Sequence, residues 1–156
     1  MKKKSIAGFF LSILIAELTG MLSGLLAGNI GAVYKTLEQP PLSPPAVVFP
    51  IVWTALYILM GVGLAAVKNA GGPESARAER LWWAQLAVNF SWTLVFFLAG
   101  AYLAALFVLI LLFGLVVAMT AAFGKLSPPA ARLQAPYLLW LAFAGYLNAG
   151  IWLLNR

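Results

Sequence analysis

The residues able to act on a ligand are few and of an unusual kind. The chain holds no cysteine and no histidine. That removes thiol nucleophiles, imidazole bases, disulfides, Cys/His metal sites and the commonest haem ligands. What remains is mainly aromatic. Phe49, Trp53 and Tyr57 recur every four residues and share one helical face. Asn89, Trp92 and Phe96 fall at i, i+3 and i+7 on another. Trp140, Ala144 and Asn148 mark a third, with Leu147 and Ile151 beside it, and Ala144 leaves space under the indole. Walls of this kind suit flat apolar ligands, held by ring contacts and a few polar groups. The bland alternative is packing: Asn89 can bond a neighbouring helix, and the rings can fill a core. Glu17 is the only acid inside an apolar run. No Lys or Arg within a run can pair with it, so it must be neutral or hydrogen-bonded. An acid so placed is a candidate for proton coupling.

The elements that position these residues follow from composition. Of 156 residues, 63% are hydrophobic and 9% charged, against roughly a quarter charged in soluble domains. The bilayer must therefore be the solvent. The net charge of +6 is spread over segment ends and forms no basic face, which argues against nucleic-acid binding. Five apolar runs predict an all-α membrane protein, a bundle of five transmembrane helices in one domain over 1–156. The helices are expected at about 6–27, 45–67, 80–98, 102–123 and 132–154, each near the roughly 20 residues a span needs. The first follows Lys2-Lys3-Lys4 and is too long for a signal peptide, whose apolar part is about 7–15 residues.

The connection over 28–44 is long for a helix pair and reads as a lid. Pro40-Pro41 and Pro44-Pro45 stiffen it, because proline fixes φ and removes a donor. A helix can start at Pro44 or Pro45. Gly20, Gly24 and Gly28 form a small-residue stripe that permits close helix approach, within the chain or between copies. Trp82 and Trp83 beside Arg80 read as an interfacial belt. All basic residues except Lys35 and Arg156 fall on the N-terminal side of the membrane. The positive-inside rule then puts the N-terminus in the cytoplasm, with the C-terminus and the proline loop outside.

Three stretches carry a resemblance: Y-K-T-L-E-Q-P-P-L-S-P-P-A-V-V-F-P-I-V-W-T-A-L-Y, Q-L-A-V-N-F-S-W-T-L-V-F-F and P-Y-L-L-W-L-A-F-A-G-Y-L-N. In this order they resemble the translocator protein, or tryptophan-rich sensory protein, family (TspO/MBR, formerly the peripheral benzodiazepine receptor). The resemblance implies a five-helix bundle, usually a homodimer, with no required cofactor or metal. It implies a pocket for porphyrins and haem, sterols, and isoquinoline and benzodiazepine drugs. Pro44 and Pro45 would shape the lid, with Phe49, Trp53 and Tyr57 as one wall. Asn89 and Trp92 would contact ligand from the third helix, and Trp140, Phe143, Ala144 and Leu147 would line the wall of the fifth. Trp140 would take part in light-driven porphyrin breakdown. Val33 and Leu42-Ser43 stand where many members carry aromatic residues, so the lid has less surface to grip a flat ligand. If the source is bacterial, the cell membrane is the expected location. The alternative function is a proton-coupled small-molecule exporter centred on Glu17.

Overall fold

The computed structural model describes residues 6–156, all of whose regular elements are helical. Lys2, Lys3 and Lys4, which weigh in the orientation argument, lie outside the described residues. In chain order the helices are α1 (Ile6–Ala27), α2 (Ile30–Thr36), α3 (Val48–Ala70), α4 (Ser75–Thr93), α5 (Tyr102–Leu126), α6 (Pro128–Arg132) and α7 (Ala135–Leu154). A π-helical turn, Leu94–Leu98, continues α4. Five of the resulting spans are long and apolar enough to cross a membrane: α1, α3, α4 with its π turn, α5, and α6 with α7. The chain is an all-α integral membrane protein.

The boundaries depart from the periodic reading for identifiable reasons. The second span starts at Val48, after a turn in which the Val48 N–H donates to the Pro45 carbonyl at 3.0 Å. Pro50 then sits in the first helical turn, where its missing donor costs nothing. The third span starts earlier, at Ser75, because the polar run Ala76–Glu79 is made of good helix formers. The fourth runs through Gly124 to Leu126. The fifth is broken: α6 ends at Arg132 and α7 resumes at Ala135, as Pro136 cannot donate back into a continuous helix. The expected loop contains α2, whose start is capped by Asn29 Oδ1 accepting from the Ala32 N–H at 3.0 Å.

In the bundle, α1 lies against α3 and α4, and α5 lies against α4 and α7. Ring contacts of Phe49 with Trp140 and of Trp53 with Tyr137 close α3 against α7. Gly61 sets the closest approach, since a Cβ there would strike the Ile13 backbone of α1. Trp82, Met60, Phe123, Met119, Leu112, Tyr137 and Leu141 are fully buried. Trp82 is therefore a core residue and not part of a belt; its indole donates to the Met60 carbonyl at 3.1 Å. Trp83 is half exposed. Phe10, Leu14 and Leu25 of α1 and Phe107, Ile110 and Leu111 of α5 face outward, as lipid solvation allows.

Several buried polar groups find partners across helices, as a medium without water favours. Tyr137 Oη donates to Gln85 Oε1 at 2.9 Å and accepts from Asn89 Nδ2 at 3.1 Å. Gln134 Nε2 donates to the Leu59 carbonyl at 3.3 Å.

Candidate functional site

The C-terminal half of α1, the N-terminal half of α3 and the end of α4 meet on the side of the bundle that α2 covers. They enclose a cavity of about 670 Å³, within the roughly 300–1,000 Å³ typical of small-molecule sites. From α3 come Phe49, Trp53, Thr54 and Tyr57, and from α4 and its π turn come Trp92, Thr93 and Phe97. Glu17, Gly20, Met21 and Gly24 of α1 form the opposite side, with Ile30, Gly31 and Tyr34 of α2 above.

Each ring is held in place. Trp53 packs on Tyr57 with centroids 5.5 Å apart and meets Tyr137 edge-on at 6.1 Å. Phe49 meets Tyr34 at 5.0 Å. Trp92 donates its indole N–H to Asn148 Oδ1 at 3.1 Å and packs on Phe96 at 5.2 Å. Gly20 is required by Tyr57, whose ring occupies the place a Cβ at Gly20 would take. The glycine stripe of α1 thus works inside the chain: Gly20 admits a ring, Gly24 lines the cavity, and Gly28, at φ 81°, lies just past the end of the helix.

The lid is tied at several points. Tyr34 Oη donates to the Pro44 carbonyl at 3.0 Å. Tyr146 Oη donates to the Pro41 carbonyl at 2.8 Å, and Gly150 gives the Pro40 ring room against α7. Asn155 and Glu38 exchange two bonds: Asn155 Nδ2 donates to the Glu38 carbonyl at 2.8 Å, and the Glu38 N–H donates to Asn155 Oδ1 at 2.9 Å. Burial pushes the Tyr34 phenol up, partly offset by a bond with Ser43, so it stays a donor.

Of the sequence candidates, Phe49, Trp53, Tyr57 and Trp92 stand together on the cavity wall. Pro44 and Pro45 lie in the lid, off the wall, and deliver Ala46 and Val47 to it. Asn89 is buried on Tyr137 and does not line the cavity. Phe96, Ala144 and Leu147 line a separate void of about 20 Å³, room for roughly one water. Trp140 sits behind Phe49, ring centroids 5.9 Å apart, and Phe143 meets Trp140 at a tilt and stacks on Tyr146. The α7 residues therefore form a layer behind the chamber. Sequence periodicity missed Phe97, which the π turn brings to the wall where a regular helix would continue to Phe96. It also missed Gly20, Met21 and Gly24 as lining residues, although small residues one and two turns from Glu17 were a readable signal.

The chamber is apolar, and no Lys, Arg or His lines it. Among the described residues no cluster of three or more His, Cys, Asp or Glu can hold a metal ion. The fold and the cavity define an integral membrane bundle with an aromatic chamber of small-molecule size. The chain belongs to the TspO/MBR family, which it matches over residues 12–153. It is 40% identical over 124 residues to "Tryptophan-rich protein TspO" of Chlorobaculum tepidum, covering 78% of each chain. It is 40% identical over 126 residues to "Translocator protein" of Bos taurus, covering 79% of this chain and 75% of that one. It is 34% identical over 151 residues to "Protein CrtK" of Rhodobacter capsulatus, covering 96% of this chain and 91% of that one.

Proposed function

We propose that this chain is a membrane receptor for porphyrins, such as protoporphyrin IX and haem, and for other flat apolar molecules, including sterols and isoquinoline or benzodiazepine compounds. The supporting observation is the chamber itself: about 670 Å³, walled by Phe49, Trp53, Tyr57, Trp92 and Phe97 beneath α2. Rings at those positions hold a flat ligand by stacking and by excluding lipid and water. With no histidine or cysteine in the chain, haem is held by its macrocycle and not by the commonest iron ligands. The proposal extends to tetrapyrrole regulation or transport, to a homodimer, and to a bacterial cell membrane with the N-terminus cytoplasmic. Slow light-dependent porphyrin degradation would act through Trp140, one ring removed from the chamber behind Phe49.

The second reading, proton-coupled export, is favoured by the placement of Glu17 on the cavity wall. Glu17→Gln would then abolish proton-linked efflux from proteoliposomes. The receptor reading is tested by titrating protoporphyrin IX into purified protein while following tryptophan emission. Saturable quenching that weakens in Trp53→Phe supports it. Non-saturable quenching, identical in the variant, overturns it.

A further inference from the structure

Glu17 is the one carboxyl on the chamber wall. Its Oε1 is buried and has no hydrogen-bond partner among the described residues. Several donors on the wall are committed elsewhere, and the Thr54 and Thr93 hydroxyls, which also line it, do not bond Oε1. Ser23 Oγ donates to the Gly20 carbonyl at 2.9 Å, Tyr34 Oη to the Pro44 carbonyl, and the Trp92 indole to Asn148. The two ion pairs among the described residues, Lys68–Glu79 and Arg77–Glu74, lie at the α3–α4 turn, beyond the opposite end of α3 from the chamber. On the same helix, Gly24 puts no side chain into the open volume, while the Tyr57 ring fills the space at Gly20. The titratable groups that share the wall from other elements are Tyr34 of α2 and Tyr57 of α3.

We infer that Glu17 is a specificity residue: among flat apolar ligands it selects those bearing a cationic or N–H-donating nitrogen at one edge. The inference rests on the receptor reading above. A buried acceptor left unmade is costly, and rotation of the carboxyl toward the chamber lets an N–H⁺ donor give it a short charge-assisted bond. The Trp53 ring on the α3 side of the chamber adds attraction for a cation over its face. A ligand of the same shape without the donor fills the same volume and leaves the carboxyl unsatisfied.

The test uses the full chain in detergent and a matched pair of probes at neutral pH: 9-aminoacridine, which is protonated, and acridine, which is neutral. The wild type is expected to bind 9-aminoacridine about tenfold more tightly than acridine, the gain of one charge-assisted bond. In Glu17→Gln the ratio is expected to fall to near one. Equal ratios in the two proteins, or no binding of either acridine, overturn the inference. An infrared difference spectrum of the wild type needs no variant: the carboxyl band is expected to move with 9-aminoacridine and not with acridine. A band unmoved by both also overturns it. Protoporphyrin quenching of the wild type is read in parallel, so failure of the receptor reading is seen separately from failure of the selectivity.

Discussion

Trp92 of α4 and Asn148 of α7 are joined by an indole N–H to Oδ1 bond of 3.1 Å. Asn148 passes the connection on, donating Nδ2 to the Tyr102 carbonyl at 2.8 Å. Three helices are thereby locked behind the chamber, and the plane of the Trp92 ring is fixed. Asn148→Leu would leave the indole N–H unpaired in an apolar setting and remove the second bond to the Tyr102 carbonyl, which keeps its place in the α5 ladder. The expected loss is about 1–3 kcal/mol, nearer the low end as in other membrane bundles. Thermal unfolding in detergent measures it, and protoporphyrin quenching should weaken alongside.

Gly20 and Tyr57 form a second tight pair. Leucine at position 20 must displace the Tyr57 ring, which has nowhere to go but the cavity. Gly20→Leu is expected to keep helical circular dichroism, lose about 1–3 kcal/mol of stability by overpacking, and reduce ligand binding at least severalfold. Unchanged affinity would show that the open volume beside Tyr57 is not where ligand sits.

The lid carries strain at a residue type that rarely accepts it. Leu42 has φ 67° in the turn closed by the Ser43 N–H to the Pro40 carbonyl at 3.3 Å. Only glycine enters that region at no steric cost. Leu42→Gly should therefore gain about 1 kcal/mol from relief of the left-handed backbone, seen as a higher unfolding midpoint. Leu42 is also exposed and off the chamber wall, so equilibrium affinity for protoporphyrin should change little.

The Tyr34 bond to Pro44 gives a pH expectation. Burial raises the phenol above its ordinary value. The neutral donor is therefore fully present below the ordinary phenol range near pH 10, and its contribution is lost only as pH climbs through the raised value. Ligand release by stopped flow should show no lid-derived change between neutral and mildly alkaline pH. Tyr34→Phe should speed release severalfold throughout that range, by loss of a bond worth about 0.5–1.5 kcal/mol.

Iron should add no affinity of its own. The rings offer stacking, and the chain has no histidine or cysteine. Metal-free protoporphyrin IX is expected to bind at least as tightly as haem in parallel titrations. A strong preference for haem would point to an iron ligand of another type.

The spans and one wall of the chamber were legible in the sequence because each depends on a single local rule. Apolar runs of membrane length give the spans, and the four-residue spacing of Phe49, Trp53 and Tyr57 survives folding because α3 is regular there. The second wall was only half legible. The Ala99 N–H donates to the Leu94 carbonyl at 3.0 Å, a five-residue step that shifts the register after Trp92. Phe97 lines the chamber and the small void, while Phe96 lines the void alone. The α7 candidates share a helical face, but no pattern within one helix reports what stands in front of it. Phe49 takes that place and keeps Trp140 one layer back.

The most direct measurement is a structure of the protein with protoporphyrin IX bound. The expected result is a macrocycle between α1, α3 and α4, touching Trp53, Tyr57 and Trp92, with Trp140 behind Phe49. A macrocycle on the outer lipid face, or against α7 with the chamber between α1 and α3 collapsed, would contradict the account.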